Sequence, residues 1–203
     1  LKLSPASYNN IRAHLMSLET EMKEFGYIGQ IKDYCKRRRA IQQLHKPFKN
    51  VQAVLSDIYA FDKRLHLCCL LSFGCLLRPH REIRELTWGE ISSNLDQISL
   101  SGSRNKGKRN RIVPIPAYIK PYLQEFATID VHAGINVFTG AECPFSPDFF
   151  KGLWTKYKRK SKLLEKDQTL YSFRHSAAVQ VYEKTGSLTK LQQVMGHSSL
   201  QVS

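Results

Sequence analysis

The sequence predicts a mainly helical protein that carries one small antiparallel β-sheet. Apolar residues recur at helical spacing through most of the 203 residues. Only two short stretches, 96–101 and 111–116, alternate as strands do, and a turn containing Gly102 and Gly107 separates them. Hydrophobic residues make up 42%, an ordinary share, and the length allows one good-sized core or a small domain plus a medium one. The chain has no internal repeat and no low-complexity segment.

Ser4–Pro5 opens the first helix. Ile11, Leu15, Leu18, Met22 and Phe25 lie on one face, and Gly26 closes it. One helix of this length cannot bury itself. It is expected to be the last helix of a domain that starts before residue 1, so the chain reads as a fragment. Residues 27–46 read as a linker with a basic run, Lys36, Arg37, Arg38 and Arg39, that fits a solvated linker or a phosphate contact equally well. Pro47 is expected to open a second helix with Phe48, Val51, Val54, Leu55 and Ile58 on one face. Leu65–Leu77 is apolar almost all round and should be central. It ends in Leu77–Arg78–Pro79. Proline stops smooth continuation and pushes the residue before it out of helical geometry, so Arg78 is placed at a bend on the core edge. Ile83, Leu86, Trp88 and Ile91 resume the apolar pattern.

The strands at 96–101 and 111–116 enclose a basic tip. Five of the eight residues 104–111 are Lys or Arg: Arg104, Lys106, Lys108, Arg109 and Arg111. Such a tip repels itself unless a polyanion lies across it. Pro114 and Pro116 require the second strand to be an edge. Residues 116–126 read as a helix and 127–146 as irregular. Ser146–Pro147–Asp148 starts a helix whose aromatic row, Phe149, Phe150, Trp154 and Tyr157, is assigned to the core. Lys151–Lys162 carries six basic residues and no acid, among them Lys156, Lys158, Arg159 and Lys160. That cluster suits contacts to a nucleic-acid backbone. Asp167 is expected to cap the helix that begins near Leu170. On it, Tyr171 and Arg174 stand three apart and share a face. A guanidinium beside a hydrogen-bonding neighbour is a clamp for phosphate, although an Arg–carboxylate pair beside a half-buried Tyr fits the same spacing. Gly186 ends this helix, Ser187 caps the next, and Leu188, Leu191, Val194 and Met195 give that one an apolar face before Gly196–His197.

Lys and Arg number 31 against 17 Asp and Glu, a net charge of +14, which favours a polyanionic partner over a small neutral substrate. Cys35, Cys68, Cys69, Cys75 and Cys143 fit no Cys-x-x-Cys zinc pattern and read as reduced core thiols of a cytoplasmic protein. The most apolar run is too short for a bilayer span, which needs about 20 residues, and no signal-peptide pattern opens the chain. There is no Walker loop, no paired-carboxylate site and no metal-ligand pattern.

Four elements stand in fixed order. They are Leu77–Arg78–Pro79 with Glu82–Ile83 and Leu86–Thr87–Trp88; Lys106–Gly107 with Arg111–Ile112–Val113–Pro114; Tyr171–Ser172–Phe173–Arg174–His175; and Val194–Met195–Gly196–His197–Ser198–Ser199. Together they resemble the tyrosine recombinase, or phage integrase, family over roughly residues 47–203. The resemblance implies that family's catalytic-domain fold. It implies that 1–40 is the C-terminal remnant of a core-binding domain plus linker, and 41–203 the catalytic domain, incomplete at its C-terminus. It implies a site-specific recombinase that cuts and rejoins double-stranded DNA through a 3′-phosphotyrosyl intermediate, as a homo-oligomer (a tetramer) on DNA, without cofactor or metal. Arg78 and Arg174 would hold the nonbridging phosphate oxygens. Lys106, selected over Lys108 by counting back from Arg111–Ile112–Val113–Pro114, would protonate the departing 5′ oxygen. His197 would hydrogen-bond the phosphate.

Three departures accompany the resemblance. Tyr171 stands where the family usually has His. Arg78 lies one residue further from Trp88 than usual, with Arg81 as the backup. The nucleophilic tyrosine, expected about nine residues after His197, is absent. The competing readings are a non-catalytic DNA-binding domain of the same fold and, more distantly, a basic RNA-binding domain.

Overall fold

Helix starts leave backbone N–H groups without intrahelical partners, and nearby side chains settle where each helix begins. The computed structural model describes residues 3–29, 36–39, 46–104, 110–127 and 132–195. They belong to two compact units, Leu1–Leu44 and His45–Ser203. In the first, α1 (Pro5–Glu24) is capped by Ser4, whose hydroxyl accepts from the Ser7 N–H, and Gly26 follows it at φ 73°. No residue of α1 is buried, and Ile11, Leu15 and Leu18 are exposed. Lys36–Arg39 have no regular secondary structure and are exposed. Arg38 is tied to α1: its N–H donates to Asn9 Oδ1 (2.9 Å) and its guanidinium lies 3.8 Å from the Tyr8 ring centroid.

The second unit is the expected mainly helical fold with one two-stranded antiparallel sheet. It contains α2 (Val51–Phe61), α3 (Lys63–Gly74), β1 (Gln97–Leu100), β2 (Arg111–Pro114), α4 (Lys120–Gln124), α5 (Phe149–Lys160), α6 (Leu170–Thr185) and α7 (Leu188–Met195). The central α3 packs against α2, α5 and α6, and nine of its residues, Leu65 through Phe73, are buried. β1 and β2 pair with Leu100 opposite Arg111 and Gln97 opposite Pro114.

Element ends differ from the expectations. α2 starts at Val51 rather than Pro47, because Asn50 Oδ1 accepts from the Ala53 N–H. Phe48 instead lies outside regular secondary structure and is buried, with its N–H on Ser176 Oγ (2.9 Å). α3 ends at Gly74, where a Cβ would meet Tyr118 Oη at 2.5 Å and Ile119 Cδ1 at 2.6 Å. The helix expected over 116–126 is a 3₁₀ turn, Ala117–Ile119, followed by the short α4. The cap of α6 is Thr169, not Asp167. Thr169 and Ser172 form a capping box, while Asp167 sits in the preceding turn at φ 69°. Ser187 caps as expected, accepting from the Lys190 N–H (3.2 Å), and Gly186 closes α6 at φ 60°.

Phe150, Trp154 and Tyr157 are buried as the aromatic row predicted, and the Tyr157 hydroxyl donates to Asp57 Oδ2 (2.7 Å). Cys68, Cys69 and Cys75 are buried, but Cys143 lies exposed in the irregular segment before α5. Cys35 is outside the described residues. Among the described residues, no helix is long and apolar enough to cross a membrane.

Candidate active site

The site is built from the chain that leaves α3. After Gly74 the backbone turns through Leu76, which is left-handed at φ 52°. A leucine there costs about 1 kcal/mol or more. The turn leaves the Leu76 carbonyl as acceptor for Arg174 Nη1. Arg78 follows in extended geometry (φ −85°, ψ 125°), as the residue before a proline must. Pro79–Ile83 is then a π turn, closed by the Ile83 N–H on the Arg78 carbonyl (3.1 Å). A π turn holds one residue more than an α turn. It accommodates the extra residue between Arg78 and Trp88 and keeps Arg78, rather than Arg81, against the core. The Arg81 side chain is 61% exposed, with Glu85 at 3.6 Å.

The π turn buries Glu82, which is 1% exposed. Its Oε1 accepts from Arg78 Nη1 (2.5 Å). Its Oε2 accepts from the Arg78 N–H (2.9 Å) and from Arg111 Nη2 (3.2 Å). Arg174, presented by the first turns of α6, is 4% exposed. Its Nη2 donates to the Met195 carbonyl at the end of α7 (2.7 Å). Arg111 Nη1 donates to that same carbonyl (3.0 Å).

Burial pushes the pKa of the Arg174 guanidinium down to about 9. The like charge of Arg78 pushes the same way, Glu82 opposes, and Arg111 adds to the fall. Arg174 therefore remains protonated at neutral pH. Arg111 is also lowered, by burial first, with Glu82 opposing and Arg78 adding. Burial raises the Tyr171 phenol, and Arg78 and Arg174 partly offset it. Tyr171 thus sits in the field of both arginines, with its ring centroid 5.6 Å from that of His80. Three guanidinium groups around one carboxylate leave an excess of positive charge beside a phenol that stays protonated at neutral pH.

The structure therefore brings Arg78, Tyr171 and Arg174 together. Lys106 and His197, as well as Lys108 and Arg109, lie outside the described residues. Lys36, Arg37, Arg38 and Arg39 are exposed in the first unit; Lys156, Lys158, Arg159 and Lys160 are exposed on α5. Arg104 closes a 3₁₀ turn, Gly102–Arg104, after β1. Arg111 departs from its expected place among the DNA-facing cations of the hairpin. Its side chain is 13% exposed and turned into the arginine cluster, because the first residue of β2 lies beside Glu82 and the end of α7. The sequence alone assigns Glu82 no role, because it sits among charged neighbours, Arg81, Arg84 and Glu85, that give no sign of its burial. Among the described residues, no group of three or more His, Cys, Asp or Glu side chains is arranged to hold a metal ion.

The phage integrase family matches residues 45–202. Tyrosine recombinase XerA of Thermococcus onnurineus is 28% identical over 156 residues, covering 75% of this chain and 53% of that protein. The chain thus spans about half the length of the curated relatives it matches. The structure of XerH site-specific recombinase bound to difH substrate, in a pre-cleavage complex, superimposes with a TM-score of 0.70. It is 18% identical, over 98% of this chain and 60% of that one. A lambda integrase dimer bound to a COC' core site gives 0.71 at 18% identity, over 96% of this chain and 57% of that one. At these identities the structural likeness shows the fold, and the sequence match shows the lineage: the chain belongs to the phage integrase family.

Proposed function

We propose that this chain carries the catalytic centre of a site-specific DNA recombinase that cuts and rejoins duplex DNA through a 3′-phosphotyrosyl intermediate. The observation that carries the reading is the run of hydrogen bonds that gathers Arg78 and Arg174 at one place, through Glu82, Arg111 and the Met195 carbonyl, with Glu82 the one carboxylate in it among the described residues. Holding guanidinium groups together is unfavourable unless an anion completes the site. A phosphodiester supplies that anion, and its equatorial oxygens gain charge as the phosphoryl group transfers. Arg78 and Arg174 neutralise the nonbridging oxygens. Tyr171 donates its phenolic hydrogen bond where the family usually has His. His197 hydrogen-bonds the phosphate. A tyrosine at the family position after His197 attacks phosphorus and releases its hydroxyl proton to water; as the new O–P bond forms the P–O5′ bond breaks, and Lys106 gives the departing oxygen its proton. The exposed cations of 36–39 and α5, together with the basic hairpin residues, hold the duplex, and four protomers assemble on it.

The test is a suicide-substrate assay on the natural full-length protein. Wild type is expected to form a covalent protein–DNA adduct. Arg174→Ala should slow adduct formation at least about 10³-fold while leaving duplex affinity within about threefold, since one phosphate contact among many is lost. Duplex binding without any adduct from wild type would replace this reading with a non-catalytic DNA-binding domain.

A further inference from the structure

We propose that Arg111 is a positioning residue that holds the two phosphate-binding arginines in register; this rests on the recombinase reading above. Its geometry differs from that of a surface cation in a basic hairpin. One guanidinium nitrogen reaches Glu82 Oε2 (3.2 Å), and the other reaches the Met195 carbonyl (3.0 Å). Each acceptor is shared with a different arginine of the site. Glu82 also takes the side chain and backbone N–H of Arg78 (2.5 and 2.9 Å), and the Met195 carbonyl also takes Arg174 Nη2 (2.7 Å). Arg111 therefore spans the site, with Arg78's partner on one side and Arg174's on the other.

The planar fork explains why an arginine stands here. It donates in two directions from a fixed geometry, whereas a lysine ammonium is a point donor on a flexible stem. Without Arg111, Glu82 keeps Arg78 as its cationic partner and is free to turn with it. The Met195 carbonyl, at the C-terminal end of α7, keeps Arg174 alone. Both phosphate-binding guanidinium groups then gain freedom they must lose again in the transition state, where positioning is most of what the protein supplies. The position of Arg111 at the start of β2 adds a link. The hairpin strand, the π turn and the end of α7 meet at one side chain, so the base of the basic hairpin is fastened to the arginine site.

The test compares Arg111→Met and Arg111→Lys with wild type in the full-length protein. Two scissile groups are used: the ordinary phosphodiester, and a methylphosphonate that is uncharged and has one nonbridging oxygen fewer to hold. On the phosphodiester, Arg111→Met should slow single-turnover adduct formation about 30-fold or more, and Arg111→Lys should recover part of that. Duplex affinity should stay within about threefold. On the methylphosphonate, the deficit relative to wild type should shrink to about fivefold or less, because less charge has to be aligned. General loosening of the fold would slow both substrates alike and would overturn the proposal, as would Arg111→Met cleaving the phosphodiester at the wild-type rate. If Arg111→Met does not fold, the same comparison is read on Arg111→Lys.

A second readout needs no cleavage. Orthophosphate is titrated into the full-length protein and followed through the NMR signals of the Arg78 and Arg174 Nε–H groups. Arg111→Met should weaken its binding about tenfold. Unchanged orthophosphate affinity overturns the positioning role even if wild type forms no adduct, and absence of the adduct alone overturns only the recombinase reading.

Discussion

His66 is a buried group that the proposed chemistry does not use, and its physics is separable from that of the arginine site. It lies on α3, 4% exposed, with its ring centroid 4.9 Å from that of Tyr59 and 4.7 Å from that of Tyr122. Its Nδ1 has no hydrogen-bond partner among the described residues. Burial pushes its pKa down to about 4, and the charge of Glu125 opposes only partly. From about pH 6.5 down to about 4 the unfolded chain takes up a proton that the folded chain refuses, so stability falls as pH falls through that window. Full passage costs on the order of 3 kcal/mol. Denaturant titrations of wild type and His66→Phe should therefore diverge in slope between pH 7 and 4.5, with the variant flatter; parallel curves would show that His66 titrates normally. The same residue scale shows what the sequence hides. The arginines of Arg78–Pro79 and Tyr171–Arg174 were legible because proline and helical spacing constrain them locally. Arg111 was not, since five basic residues in eight look alike until the strand register places one of them beside Glu82.

At the scale of elements, periodicity located the helices and chain-specific contacts set their ends. α3 starts one residue after Asp62, whose Oδ1 accepts the N–H groups of Arg64 (2.9 Å) and Leu65 (3.0 Å); its Oδ2 takes Arg64 Nη2 (2.8 Å). Burial pushes the Asp62 carboxyl up in pKa, but the hydrogen bonds from Arg64 and Leu65 outweigh it, and the net shift is downward. A lowered carboxyl pKa gives stability that is present above the unfolded value and lost as pH falls through the folded one. Asp62→Ala should lower stability at pH 7 by about 1–2 kcal/mol. In urea this reads as a lower midpoint with an unchanged m-value; an unchanged midpoint would mean that another group caps α3. The other ends were set by features no local pattern announces. α3 ends at Gly74, ahead of Leu76, whose left-handed φ of 52° breaks the helical path, and Thr169 with Ser172 takes the cap that Asp167 was expected to hold. The π turn at Pro79–Ile83 was visible only as a one-residue misfit in spacing, because one inserted residue leaves the flanking apolar pattern intact.

At the scale of the whole molecule, the net charge of +14 must be assigned to partners, and α5 is the place to test the assignment. Its last turn ends in Lys158, Arg159 and Lys160. Cations there also complement the negative end of the helix dipole, worth about 0.3–1 kcal/mol each at low ionic strength. Lys160 additionally lies 5.5 Å from the Phe61 ring centroid. These intramolecular uses predict that removing the cations lowers stability and leaves DNA affinity alone. The phosphate-contact reading predicts the reverse, because each neutralised phosphate releases counterions and log K falls with log salt at a slope of about −0.9 per contact on duplex DNA. Lys156 and Arg159 stand three apart on exposed helix surface, so one double substitution removes both from a single face. Lys156→Ala with Arg159→Ala should make the salt slope of duplex binding shallower by about 1.8 and weaken binding similarly on unrelated duplexes, since backbone contacts carry no sequence information. Thermal midpoints should change little, because the pair is solvent-exposed. A slope identical to wild type, with a lowered midpoint, would return these cations to the helix dipole and leave the duplex to the hairpin and the arginine site.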